Sequence, residues 1–317
     1  MNKPNENDQD PERSEFQRGM ERVQRLAERA AELTSARGQV QSQDAQSVGE
    51  LAFMSSPLVQ VTLPHSDPGD VEVWSRENGD LSLYIRPGVE RTESGDYQPL
   101  GFPYGVYPRL IMAWVCTQVT RHGRRRLDLG ESLQEFMREL EVTPSGGEHG
   151  TTGRFQEQMR RLFSARIGMI WQKPGREKRR SAVVADELDL WWDPKDPSQK
   201  TLWESSVQLS LPFFEAVRKR PVPADQRVLR EIKDSALAID LYFWTTYRAA
   251  TIEEPLVLSW QQIHDQLGSS YKNVSGFARE ARKHLREIAL VWTDLQYETP
   301  RGRLKLLPSQ PSISVDE

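Results

Sequence analysis

The sequence predicts an α+β protein in which one supersecondary unit is written twice. Residues 108–192 read as an apolar helix centred on 110–114 (LIMAW), a short strand at 126–129 and a helix over 132–140. They continue as a Gly-rich turn, a basic helix over 154–166 and an extended segment from Met169. Residues 235–307 repeat that order, with 238–244 (AIDLYFW), 256–258 (LVL), 260–267, a Gly-Ser turn, 274–288, and 290–292 (LVW) leading into a second hairpin. A local match of RFQEQMRRLFSARIGMIW (154–171) to GFAREARKHLREIALVW (276–292) sets Phe155 on Phe277 and Trp171 on Trp292. Such an order, occurring twice, is the pattern of two tandem winged helix-turn-helix domains preceded by a flexible N-terminal arm, and units of that kind usually bind duplex DNA.

Along the chain, residues 1–50 carry few apolar side chains and many Glu, Gln, Asn and Arg, the composition of a mostly disordered acidic arm. Within it Phe16, Met20, Val23, Ala27 and Ala30 alternate spacings of four and three, which predicts a helix over 11–35. With alanines in the seam it is a weak coiled coil, so a marginal helix and a dimerisation or docking helix are both open. The first domain is expected over 51–200. It begins with strands at 57–63 and 71–74, the latter joined to 81–85 across the Asn-Gly turn of 76–80. The second domain is expected over 201–308, with a strand at 205–214, a stiff Pro-Val-Pro connector at 221–223 and a helix capped by Asp225. Residues 309–317 read as a flexible tail.

At 317 residues the chain is long enough for two domains with cores of their own. Its longest apolar run, 110–116, falls far short of the ~20 residues of a membrane span. No secretory signal is legible and one cysteine, Cys116, excludes an intrachain disulfide framework, so a cytoplasmic location is expected. The net charge of −4 argues against a nucleic-acid partner until its distribution is considered. Residues 108–180 hold 15 basic against 8 acidic side chains (+7) and 225–307 hold 12 against 11 (+1), while the other segments are negative.

The sharpest motif lies in the second repeat. With Phe277, Ala281, Leu285 and Ile288 as the buried stripe of a helix, the opposite face collects Lys272, Ser275, Arg279, Arg282, Lys283 and Arg286. Donors in successive turns can then reach one groove wall while the apolar side anchors the helix. In the first repeat Phe155, Met159 and Leu162 define the core side and leave Arg154, Arg160 and Arg161 outward. The hairpin that follows carries Lys173, Arg176, Lys178, Arg179 and Arg180 around a Pro-Gly turn, where phosphates or a minor groove favour positive charge. A smaller second wing, 299–305, bears Arg301 and Arg303. Charged solvated turns and faces are the plain alternatives for each.

The Gly-rich run 145–153 lacks the lysine of a phosphate-cradling loop and follows a helix, so it is read as the turn of a helix-turn-helix. Thr151 and Thr152 then stand at the N-terminus of the basic helix, whose amides could hold a DNA phosphate. The five histidines (His65, His122, His149, His264, His284) are isolated, and Tyr242, Tyr247 and Tyr271 lack the neighbours of a nicking tyrosine. Asp193 and Asp196 fall in a Pro-rich loop. Neither an enzyme nor a cofactor is expected.

Residues 101–109 (GFPYGVYPR), 127–136 (LDLGESLQEF), 222–225 (VPAD) and 241–248 (LYFWTTYR) resemble the RepA-type replication initiators of bacterial plasmids, over roughly 50–308. The resemblance implies a non-enzymatic, winged-helix initiator that binds repeated double-stranded sites (iterons) at a plasmid origin. It also implies help in opening the duplex, recruitment of the host replication initiator and replicative helicase, and a possible homodimer. A transcriptional repressor of its own promoter is the alternative within DNA binding; a nicking or primase enzyme and a protein–protein adaptor are those outside it.

Overall fold

In the computed structural model the described residues are 11–147, 150–192, 196, 198–199, 205–219, 221–267, 270–310 and 313. Residues 1–10 of the expected arm, His149, Asp193, part of the second repeat's turn (268–269) and tail positions 311–312 and 314–317 lie outside them.

The arm is not mostly irregular where it is described. Helix α1 (Pro11–Ser42) runs past the predicted end at 35 and docks by Leu33 and Ala36, with Arg29 and Val40 beside them. That stripe lies about 130° round the helix from the predicted seam, so Met20 and Val23 of the seam stay exposed, at 56% and 62%. Arg227 caps α1 by donating to the carbonyls of Gln39 (2.7 Å) and Gln43 (2.9 Å), where helix C-termini leave oxygens without partners.

The first unit opens with β1 (Leu51–Ser55), α2 (Ser56–Gln60), β2 (Trp74–Asn78), β3 (Leu81–Arg86), β4 (Val89–Arg91) and β5 (Tyr97–Pro99). The predicted strand at 57–63 is therefore a helix preceded by a strand. Pro57 at the first turn explains it, since its missing N–H costs nothing there and its fixed φ suits a helix start. There follow α3 (Val106–His122), β6 (Arg126–Asp128), α4 (Leu133–Glu139), α5 (Thr151–Ser164), β7 (Arg166–Lys173), β8 (Arg176–Val183), β9 (Ala185–Asp189), β10 (Ser206–Leu209) and α6 (Leu211–Arg218). Ser210 caps α6, accepting from the Phe213 amide, and Pro212 again sits in the first turn, which splits the predicted strand at 205–214.

The second unit runs β11 (Pro221–Asp225), α7 (Gln226–Ile232), α8 (Ala236–Ala249), β12 (Leu256–Ser259), α9 (Trp260–Leu267), α10 (Val274–Val291), β13 (Tyr297–Glu298) and β14 (Arg303–Leu306). The predicted connector at 221–223 is a strand. It pairs antiparallel with β1, Phe53 opposite Pro223, in a two-stranded sheet whose open edges tolerate proline.

The expected order thus occurs twice, as α3, β6, α4, α5, β7–β8 and as α8, β12, α9, α10, β13–β14. The pairing differs between the copies. In the second copy β12 joins its own hairpin in the order β12-β14-β13; in the first, β6 pairs with β10, and the β7–β8 hairpin joins β2 and β3 as β2-β3-β7-β8. Residues 206–209, expected near the start of the second domain, instead pair with the first copy's strands, Val207 and Leu209 burying on β6 and β9. Tyr84 lies across Gly168 in that larger sheet, where a Cβ would meet its ring at 2.0 Å. One continuous core links the copies, from Phe136 and Phe155 through Tyr242 to Phe277 and Trp292.

Candidate nucleic-acid interface

Helix α10 buries the stripe its sequence predicts but runs on through Val291, so 290–292, expected to lead into the hairpin, are its last turn and C-cap. Asn273 caps it, its side chain accepting from the Gly276 amide at 2.8 Å. Phe277, Ala281, Leu285 and Ile288 are fully buried, and the rings of Trp260 and Tyr271 meet Phe277 edge-on. Ser275, Arg279, Lys283 and Arg286 are exposed on the opposite side, and Lys272 is exposed just before the helix. Arg282 is half-buried, its guanidinium 5.4 Å over the Trp260 ring, which holds it at the margin of the stripe. Acidic groups reach only the flank. Arg279, 75% exposed, lies 3.1 Å from Glu280, and Lys283 lies 4.0 Å from Glu287, which is occupied at 2.8 Å by His284. Five of the six predicted donors therefore share an arc of about 100° on one helix face, and Lys272 stands just ahead of the Asn273 cap.

Helix α5 is different. Thr152 is buried, 7% exposed, and its amide donates to the Ser145 carbonyl (3.2 Å), while the Thr151 amide donates to the Ser145 hydroxyl (2.9 Å). The N-terminal amides expected to hold a phosphate are thus already used, and Thr152 faces the core. Arg161, 13% exposed, turns inward against Gly101, lies 3.3 Å from Asp67, donates to Glu157 and to the Phe102 carbonyl, and stacks on Tyr104. It braces the 101–104 segment and is no groove-facing donor. Arg154 is exposed and donates back to the Gly150 carbonyl at 3.3 Å. Arg160 keeps an outward position, 48% exposed, with Glu90 of β4 3.6 Å away.

Both hairpins carry their cations outward. Lys173, Arg176, Lys178, Arg179 and Arg180 are all exposed. The register sets Lys173 opposite Arg176, Trp171 opposite Lys178 and Met169 opposite Arg180 on one face of the sheet. Arg179 occupies the other face and is paired with Glu177. In the second hairpin Arg301 and Arg303 are exposed, and the Trp260 amide donates to the Gly302 carbonyl, tying the tip to the start of α9.

Composition did not reveal the polar group that joins the two copies. Arg109 of α3, 2% exposed, makes two bonds of 2.8 Å to Asp240 of α8 and also donates to the carbonyls of Leu63, Pro64 and Gly105. His65 Nε2 lies 2.6 Å from the same carboxylate. Burial, with Arg109 alongside, pushes the His65 imidazole below its ordinary value. Burial works to raise Asp240, but Arg109 and the His65 hydrogen bond hold its carboxyl below the ordinary carboxylate range. Arg76, which donates to the Thr62 hydroxyl and the Leu267 carbonyl, is pushed down to about 10 by burial. The available signal was a lone Asp inside the apolar run AIDLYFW. Among the described residues no cluster of three or more His, Cys, Asp or Glu could hold a metal ion, and no helix is long and apolar enough to cross a membrane.

The family model for plasmid-encoded RepA protein matches residues 102–262, just over half of the 317. It spans α3 to the start of α9, so α10 lies beyond it and is assigned on its own geometry. A crystal structure of selenomethionine derivatives of domains 2 and 3 of RctB is similar at a TM-score of 0.49 and 12% identity, covering 80% of this chain and 99% of that one. No curated protein matches the chain.

Proposed function

The chain belongs to the family of plasmid-encoded RepA replication initiators, and from that premise we propose that it binds repeated double-stranded sites (iterons) at a plasmid origin through two tandem winged helices. The observation that carries this reading is the α10 face, where Ser275, Arg279, Arg282, Lys283 and Arg286 stand together over a fully buried anchor, with Lys272 exposed just ahead of the helix. Such a helix fits the major groove end-on or lengthwise, its long donors reaching base edges and the flanking backbone. The β7–β8 hairpin supplies sequence-independent grip on phosphates or the minor groove. In this reading the bound protein helps to open the duplex and brings the host initiator and replicative helicase to it. The chain itself acts by binding, and no catalysis is assigned to it.

A gel-shift salt series on origin DNA tests this. Arg279→Ala with Lys283→Ala is expected to cost roughly 1–3 kcal/mol for each base edge left unread, or about one unit of salt slope for each phosphate left without its cation. Unchanged affinity and unchanged slope would remove α10 from the interface.

A further inference from the structure

Beside the β7–β8 hairpin lies a groove of about 730 Å³. Its floor is apolar, made by Met169 and Trp171 of β7 and Phe213 of α6. Its rim is basic: Lys178 and Arg180 project from the same face of the sheet as Trp171, and Lys219 follows α6, against one acid, Glu215. One side of the groove is β8, the edge of the β2-β3-β7-β8 sheet, whose outer side pairs with no strand among the described residues. Open strand edges accept extended segments, with main-chain bonds giving affinity and alternate side chains giving specificity.

The chemistry of the groove selects among occupants. A second copy of β8 would set Arg176, Lys178 and Arg180 against their own kind, and like charges across a strand pair are unfavourable. A duplex offers phosphates to the rim and nothing apolar to the floor. An acidic segment with a large apolar side chain offers both.

We propose that this groove binds an acidic, extended segment of a partner protein. The segment adds a strand along β8, seats an aromatic or aliphatic side chain on the Met169–Trp171–Phe213 floor, and sets carboxylates against Lys178, Arg180 and Lys219. The proposal is independent of sequence reading by α10, but it shares Lys178 and Arg180 with the hairpin's proposed grip on phosphates.

The experiment is selection of a random-peptide display library on the full chain, followed by anisotropy titration of the synthesised winners. Winners are expected to be acidic with at least one large apolar residue. Ala216→Trp, which fills the groove from α6, is expected to abolish their binding, and Lys219→Glu to weaken it roughly tenfold, with origin-DNA affinity unchanged in both. Lys219 is exposed, so that variant keeps the test valid if the tryptophan disturbs folding. Failure to enrich acidic peptides, or winners that bind both variants as well as the parent chain, overturns the proposal. Displacement of the winners by duplex or single-stranded DNA, together with DNA binding abolished in both variants, makes the groove a nucleic-acid site and also overturns it.

Discussion

The two copies share an order of elements but not a surface. In the second, β12 closes on its own hairpin and α10 turns a cationic face to solvent with acids only at its flank. In the first, β6 is paired by β10, the hairpin is drawn into a sheet with β2 and β3, and the arginines of α5 are largely spent on Asp67, Glu157, Glu90 and backbone oxygens. What surrounds a repeat decides what it can present. The segment with a charge surplus of seven uses much of it internally or on its hairpin, while the nearly neutral segment concentrates its cations on one helix face.

The largest effect is expected at the joint the copies share. Asp240→Ala would leave Arg109 buried without its counter-ion, a destabilisation of about 3–5 kcal/mol, read as a fall in thermal or denaturant midpoint. If the copies were independent, only the part of the transition reporting α8 would move. A single transition that shifts as a whole is expected here, because Arg109 and Asp240 come from different copies.

Next comes the division of labour between helix and hairpin. Lys173→Ala with Arg176→Ala should weaken binding to all duplexes alike and lower the salt slope by roughly one for each phosphate no longer neutralised. Weakening confined to origin sequences would show the hairpin reading bases, and the contrast with α10 would collapse.

The smallest effect is expected from pH. His65 and Asp240 both hold protons less readily folded than unfolded, so each stabilises the fold above its unfolded value and loses that contribution as pH falls. Stability should begin to drop as pH passes below the ordinary imidazole value of 6.5, and again below the ordinary carboxylate value of 3.8. His65→Gln should flatten the upper part of that curve in pH-dependent melts. An unchanged curve would remove His65 from the joint.

Much of this was legible in the residues where periodicity or turn chemistry is local. The stripe of α10 and the Pro-Gly tip of the first hairpin are set by neighbours within a few positions. Apolar runs containing Pro57 and Pro212 were ambiguous, because the same residues suit a strand or the first turn of a helix, and packing chose the helix. Arg161 could not be separated from Arg160 by spacing alone: its fate depends on Asp67, 94 positions away, and on the carbonyl of Phe102. The pairing of β6 with β10 is likewise a long-range choice that no repeat pattern encodes.

The contrast between the copies comes down to α10, and not α5, reading sequence. It is tested most directly by selecting bound sites from a pool of random duplexes with the parent chain, Arg279→Ala and Arg160→Ala. The expected result is a relaxed preference at the position read by Arg279, worth about 1–3 kcal/mol, and an unchanged profile for Arg160→Ala. A profile altered by Arg160→Ala and left intact by Arg279→Ala would contradict it.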